Sequence, residues 1–273
     1  MLGVLRRLLP FLPPPPPVVP LVRLEGVIGR GGRFSRQISL AGVEETLDRA
    51  FRVGGAPAVA VLMNSPGGSP VQSRLIHDRL RALAAKHEKR VFVFCEDLAA
   101  SGGYLIALAG DEIWADASSI VGSIGVIGAT FGAHEAIAKL GLERRVYTAG
   151  RHKMRLDPFR PEDPEDVAWV RALQDALHQE FIALVKERRG AKLKDAPDLF
   201  EGEVWLGRRA LELGLIDGVG HAREVLRERY GEDVRFKIMA AGRPPLLARL
   251  MGSGADAVAD SLAERLAWGR FGL

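Results

Sequence analysis

A serine set among small residues, Ala99-Ala100-Ser101-Gly102-Gly103-Tyr104, is the first candidate for chemistry in this chain. It lies between a strand-like apolar run at 91–95 and a helix-like run at 104–109. A turn of this kind exposes a hydroxyl at a helix N-terminus, where unpaired backbone N–H groups favour developing negative charge. Gly102 would let a substrate carbonyl approach the backbone closely. Such an arrangement suits an acyl-transfer nucleophile, although the G-x-S-x-G pattern of a nucleophile elbow is absent. A second run, Asn64-Ser65-Pro66-Gly67-Gly68, closes another strand-like stretch at 56–63 and precedes a helical pattern that starts near Ser69. Paired glycines at such a corner can present free N–H groups as an oxyanion hole. They can also be a plain tight loop before a Ser69 N-cap. Alone, Pro-Gly-Gly reads as the plain loop; the recurrence of Gly-Gly after the next strand adds weight to the first reading.

A serine hydroxyl needs a group to take its proton. Of the six histidines, His77, His87 and His178 fall within charged amphipathic patterns, where a solvated ring is the default, and His221 follows a Gly-rich turn. His134 and His152 stay open as bases, with no carboxylate partner in a diagnostic motif. Lys153 is the other candidate, because Ser-Lys pairs run the same chemistry as Ser-His-Asp triads. It would have to be held neutral by burial or by a nearby cation. The single cysteine, Cys95, lies in an apolar run and is expected in the core; it excludes an internal disulfide. Metal-ligand spacing, G-x-G-x-x-G and P-loop patterns are all absent, so no metal or organic cofactor is implied.

The elements that must hold these residues alternate between strand and helix. Strands are expected at 18–28, 56–63, 90–95 and 112–115, and helices at 43–53 and from 71 to near 89. A Gly-rich stretch, 121–128, follows. The run 142–148 reads as a strand that delivers the Lys153 loop, and Pro164 opens a long helix with apolar positions Val170, Leu173, Leu177, Phe181, Leu184 and Val185. This alternation predicts an α/β fold with a mostly parallel sheet; by itself it suits a doubly wound sheet as well as other parallel arrangements.

Five motifs in order carry a family resemblance. They are Asn64-Ser65-Pro66-Gly67-Gly68, Ala100-Ser101-Gly102-Gly103-Tyr104, Gly122-Ser123-Ile124-Gly125-Val126, Ala149-Gly150-Arg151-His152-Lys153, and the stretch from Val204-Trp205-Leu206-Gly207 to Leu215-Ile216-Asp217. With them the chain resembles the signal peptide peptidase A family of serine peptidases, which have a Clp protease/crotonase-like fold. The resemblance implies a spiral of β-β-α units and a catalytic dyad of Ser101 and Lys153. It also implies an oxyanion hole from Gly67, Gly68 and Gly102, with Ser123 supporting the lysine. Family members often carry an acidic residue directly after the lysine; here Met154 follows and Asp157 comes later. The implied activity is hydrolysis of hydrophobic or membrane-derived peptides, such as signal peptide remnants. Many members are tandem chains, so one copy of each motif implies a homo-oligomer with sites at subunit boundaries. The rivals are a Ser-His peptidase or crotonase-type acyl-CoA enzyme on the same fold, and a catalytically silent, membrane-associated scaffold.

Composition bounds the remaining classes. At 273 residues, 47% hydrophobic and 26% charged, the chain can bury a sizeable core. A formal charge of +4, with arginines spread beside acidic residues, gives no basic, aromatic-interleaved run for nucleic acid. Residues 1–17 read as a Pro-rich tail, 18–240 as the peptidase domain and 241–273 as a C-terminal amphipathic helical segment. The apolar stretch in the tail is shorter than the roughly 20 residues a spanning helix needs, and no small-residue cleavage site follows it. The expectation is a cytoplasmic protein with peripheral membrane contact through its termini.

Overall fold

The structure, a computed structural model, describes residues 15–30, 37–239 and 265–272. The elements run β1 (Val18–Glu25), α1 (Leu40–Phe51), β2 (Ala58–Ser65), α2 (Pro70–His87), β3 (Arg90–Ala100), α3 (Gly102–Ala107), β4 (Glu112–Ala115) and β5 (Ile120–Gly122). They continue with α4 (His134–Lys139), α5 (Pro164–Arg189), a 3-10 turn, β6 (Val204–Leu206), α6 (Gly207–Glu212), β7 (Gly218–Val219), α7 (Ala222–Tyr230) and β8 (Arg235–Met239). Among the described residues the strands form one sheet in the order β6-β5-β3-β2-β1-β8, with β4 between β3 and β7. Every pairing is parallel except β5 with β6. The Pro-rich tail expected at 1–17 and the amphipathic segment expected at 241–273 lie largely outside the described residues; of the latter, 265–269 are helical.

The central strands are apolar on both sides, as strands covered twice must be. Val59, Val61, Met63, Val91 and Val93 face a core roofed by α1, α2, α3 and α5, while Ala58, Ala60, Phe92 and Phe94 pack on Val225 and Leu226 of α7. Helix starts follow the local chemistry. Ser69 caps α2 by accepting from the Gln72 N–H, with Pro70 in the first turn. Asp163 does the same for α5 through the Glu165 N–H, and Glu165 and Asp166 sit where the helix dipole favours acids.

β3 is the strand that positions the site. Its first half pairs with β4 and its second half with β5, so the sheet forks along it. The fork needs a break in register, which occurs where Met63 pairs with Cys95 but Ser65 pairs with Ala99. Asn64 stitches this break: its side-chain amide donates to Asp97 at 2.8 Å, and its oxygen accepts from the Leu98 N–H at 3.1 Å. The strand therefore continues to Ala100, beyond the expected end at 95, and delivers Ser101 to the sheet's upper edge.

One expected strand is not there. Residues 142–148 form no strand, and 138–153 are exposed throughout. A strand needs a hydrogen-bonding neighbour, and among the described residues none lies beside this run. The stretch between β5 and α5 is instead an arm with α4 as its short helix, and it exposes Ile127, Phe131, Leu140, Leu142 and Tyr147, the last to 91%.

Candidate active site

Ser101 sits between β3 and α3 with φ +52° and ψ −120°. A non-glycine residue with positive φ is uncommon, and such strain, of order 1–3 kcal/mol, persists only where the surroundings fix it. Here they do. The Ser101 N–H donates to the Gly122 carbonyl at 2.8 Å, and the Ser101 carbonyl accepts from the Leu105 N–H at 2.9 Å. Its hydroxyl makes no capping bond to α3, and the residue is half-buried. Ser123 is strained in the same way, with φ +53°, and its N–H is tied to the Glu203 carbonyl at 2.7 Å. Ser101 and Ser123 line one cleft of about 760 Å³ together with Gly67 and Gly68.

The two glycine turns meet at this point. A Cβ on Gly67, at φ +99°, would lie 2.8 Å from both the Gly102 nitrogen and the Ser101 Cβ, so a side chain there would fill the site. A Cβ on Gly68, at φ +139°, would lie 2.0 Å from the Ile28 carbonyl oxygen. Ile28 bridges this turn: its N–H donates to the Gly67 carbonyl and its carbonyl accepts from the Ser69 N–H, each at 2.8 Å. In that parallel bridge the Gly68 N–H faces away from Ile28. The Gly67 N–H is occupied by Ser65 Oγ at 3.1 Å. Among the described residues, the N–H groups of Gly68 and Gly102 find no acceptor and remain the candidates for an oxyanion.

Beside Ser101 and Gly102 opens a second, apolar cavity of about 290 Å³. Its walls include Val71, Leu105, Val126, Leu177, Phe181 and Leu184, with Arg74 and Glu180 also bordering it. The volume is at the small end for ligand sites, suited to one large apolar side chain.

Lys153 is not part of this assembly within one chain. It lies exposed on the arm and lines neither cavity that Ser101 lines. His134 and His152, the other bases left open, line neither of those cavities: His134 borders a separate cavity with Asp157, and His152 is exposed. Two histidines expected to be solvated are not. His77 is buried, its Nδ1 2.8 Å from Asp78, and burial lowers its proton affinity despite that carboxylate. His178, on α5, lines the Ser101 cleft, with Nε2 3.1 Å from the Ile124 carbonyl oxygen. Its position beside the apolar stripe that holds Leu177 and Phe181 was the available signal. Cys95 is buried, and burial pushes its thiol up to about 12, which leaves it inert. Among the described residues no group of three or more His, Cys, Asp or Glu is placed to hold a metal ion.

The fold and the strained serine at a strand-to-helix corner define an α/β protein of the Clp protease/crotonase-like type. Two solved structures of the 1510-N membrane-bound stomatin-specific protease share it. The serine-to-alanine variant matches with a TM-score of 0.50 at 16% identity over 83% of this chain and 99% of that one. The lysine-to-alanine variant, in complex with a substrate peptide, matches with a TM-score of 0.52 at 15% identity over 88% and 99%. The model of peptidase family S49 matches residues 84–233, which include Ser101, Ser123 and Lys153. The chain is 30% identical to slr0021 of Synechocystis sp., which carries a protease name, over 97% of this chain and 95% of that one. It belongs to peptidase family S49, as the sequence resemblance implied. It is also 51% identical, over 99% of its length, to proteins of Brucella abortus and Brucella melitensis named Na(+)/H(+) antiporter NhaA. The chain spans only 39% of the length of those two relatives, and the rest of each lies outside the match.

Proposed function

We propose that the protein is a serine endopeptidase in which Ser101 of one subunit works with Lys153 of a second copy. The observation that carries the nucleophile is Ser101 held at positive φ with its hydroxyl uncapped, beside the unpartnered N–H groups of Gly68 and Gly102. Neutral Lys153 takes the Ser101 Oγ proton as Oγ attacks a peptide carbonyl. The two N–H groups hold the oxyanion. The lysine ammonium then gives its proton to the leaving amine. Water, deprotonated by the Lys153 amine, attacks the acyl carbonyl, and the collapsing intermediate expels Ser101 Oγ, which takes that proton back from the Lys153 ammonium. Gly67 contributes by having no side chain. The test is reaction with a fluorophosphonate probe, mapped by mass spectrometry. Labelling of Ser101 is expected; labelling elsewhere, or none, refutes the assignment. Labelling without cleavage of any peptide would favour the silent scaffold.

The second copy follows from the arm. Exposed apolar side chains in this number mark an interaction surface. A lysine acts as a base once burial or a nearby cation holds it neutral, and burial is what a docked neighbour would provide. Head-to-tail docking of identical chains closes into a ring where the rotation between neighbours allows it.

Ser123 is assigned to orienting the Lys153 amine. Hydrogen bonds to charged or titrating groups contribute about 1.5–3 kcal/mol, so Ser123→Ala is expected to lower kcat by roughly 10- to 100-fold with its melting temperature unchanged. An unchanged rate across pH would return Ser123 to a plain turn.

The cavity beside Ser101 supports a substrate with a large apolar residue next to the scissile bond. Burying a leucine or phenylalanine side chain is worth about 1.5–3 kcal/mol. Peptides with Leu or Phe there should be cleaved about 10- to 100-fold better in kcat/KM than those with Ala. Leu105→Trp should reverse the preference by filling the cavity. Equal cleavage of Ala and Leu peptides would remove the cavity from substrate recognition. Hydrophobic, membrane-derived peptides such as signal peptide remnants fit this preference. The structural neighbour is named membrane-bound, which supports work at a membrane surface. Among the described residues no helix is long and apolar enough to cross a membrane.

A further inference from the structure

The helix that walls the cleft, α5, sends one polar ring into it. His178 lines the same cleft as Ser101 and Ser123, and its Nε2 lies 3.1 Å from the carbonyl oxygen of Ile124. A carbonyl oxygen only accepts, so Nε2 carries the hydrogen and the neutral ring keeps its lone pair on Nδ1. The Nε2–H is present in imidazole and imidazolium alike, so the bond survives either protonation state. It also commits the nitrogen that faces the backbone to donating, not to taking a proton.

The bond falls at a joint. Ile124 has its side chain fully buried. On one side of it Ser123 is fixed by its N–H to Glu203 at 2.7 Å, and the Gly125 N–H turns back to the Ser123 carbonyl at 2.9 Å. On the other side, 125–128 leave the sheet and lead into the arm that carries Lys153. One turn earlier on α5, Gln174 backs the same segment: a Cβ on Gly128 would lie 2.8 Å from its Nε2. Leu177 and Phe181, flanking His178, face the apolar cavity. Among these α5 side chains, His178 is the one that holds the backbone of the Ser123 segment.

We propose that His178 is a positioning residue for catalysis. By donating from Nε2 to Ile124 it fixes the plane of the Ile124–Gly125 peptide. That sets the place of the Ser123 hydroxyl and the angle at which the arm departs. The inference rests on the Ser101–Ser123–Lys153 reading and adds to it the group that aligns its middle member.

The test compares His178→Phe, which keeps a ring and loses the donor, with His178→Gln, which keeps an N–H at similar reach. Labelling of Ser101 by a fluorophosphonate, kcat and KM on a fluorogenic peptide, and melting temperature are measured for each. His178→Phe should lower kcat and the labelling rate about tenfold, with KM and melting temperature near wild type. His178→Gln should stay within about threefold of wild type. His178→Asn, whose amide is too short to reach Ile124, replaces the Phe variant if that one does not fold, and the same loss is expected. A donor-less variant at the wild-type rate, or a Gln variant as slow as Phe, overturns the proposal. The dyad reading is separated by Lys153→Ala in the same assay. If that protein is inactive while His178→Phe is unaffected, only the His178 inference fails. If it is active while His178→Gln is dead, the histidine is the base and both fail.

Discussion

Ser101→Ala and Lys153→Ala proteins, each inactive alone, are expected to regain activity when unfolded together and refolded. Each substitution should cost at least about 10⁴-fold in kcat, and the two losses should not add, because nucleophile and base act as one unit. In a one-to-one mixture of head-to-tail rings, about a quarter of the sites would combine an intact serine with an intact lysine from its neighbour. Recovery near a quarter of the wild-type rate therefore stands far above either parent. The structural ground is the arrangement in one chain: Ser101 in the cleft, Lys153 exposed on the arm, and neither cavity described at Ser101 lined by Lys153. Confirmed mixed oligomers with no recovered activity would place both residues in one chain. Full turnover by Lys153→Ala would remove the lysine altogether.

How far the sequence disclosed this arrangement depended on how each element is stabilised. β2 and the first half of β3 were legible because strands covered on both faces must be continuous apolar runs. α2 and α5 announced their starts with Ser69-Pro70 and Asp163-Pro164. The second half of β3 was hidden by Glu96 and Asp97, which interrupt the apolar run where the register breaks. Their place became intelligible only through Asn64, a partner from another strand. The short strands β5 to β8 have two to five residues each, too few to show a period.

The site divided along similar lines. Ser101, Gly67 and Gly68 could be singled out because strained or crowded backbone demands small residues, and small-residue turns are visible in a sequence. The run 142–148 misled because its apolar residues imitate a strand, while its exposure suits an intermolecular contact. His178 is hidden in the sequence because helical periodicity assigns a flanking histidine to solvent, and the carbonyl it meets belongs to a distant loop. Contacts between a side chain and a remote backbone atom leave no local pattern to read.

The second large effect concerns stability, and it centres on Arg189 and Asp217. The Arg189 side chain is 3% exposed. Its guanidinium holds both Asp217 carboxylate oxygens, at 2.9 and 3.1 Å, while its Nε donates to the Gly214 carbonyl at 2.7 Å. Asp217 also accepts from the Ile113 N–H at 2.8 Å and from Lys192 at 2.7 Å. The cluster ties the end of α5 to β4 and to the loop where Tyr104, three residues past the nucleophile, donates to the Leu215 carbonyl at 2.7 Å. Removing one partner of a buried pair costs about 3–5 kcal/mol, because the other charge is stranded. Asp217→Ala should reach that range, since it strands Arg189 and leaves the Ile113 N–H unpaired. Arg189→Met should cost less, because Lys192 still faces the carboxylate. For a domain of this size the Asp217→Ala loss corresponds to a fall of roughly 6–20 °C in melting temperature. Burial by itself would raise the proton affinity of Asp217, but the hydrogen bonds from Arg189 and Lys192 outweigh it and hold the carboxyl below its ordinary range. A carboxyl depressed on folding adds stability that is fully present above the unfolded value near 4 and is lost as pH falls through the folded value. Wild type should therefore lose stability below about pH 4 more steeply than Asp217→Ala. Matching acid-melting curves, or an Asp217→Ala protein that melts within a degree or two of wild type, would show that the cluster is not what fastens α5 to the sheet.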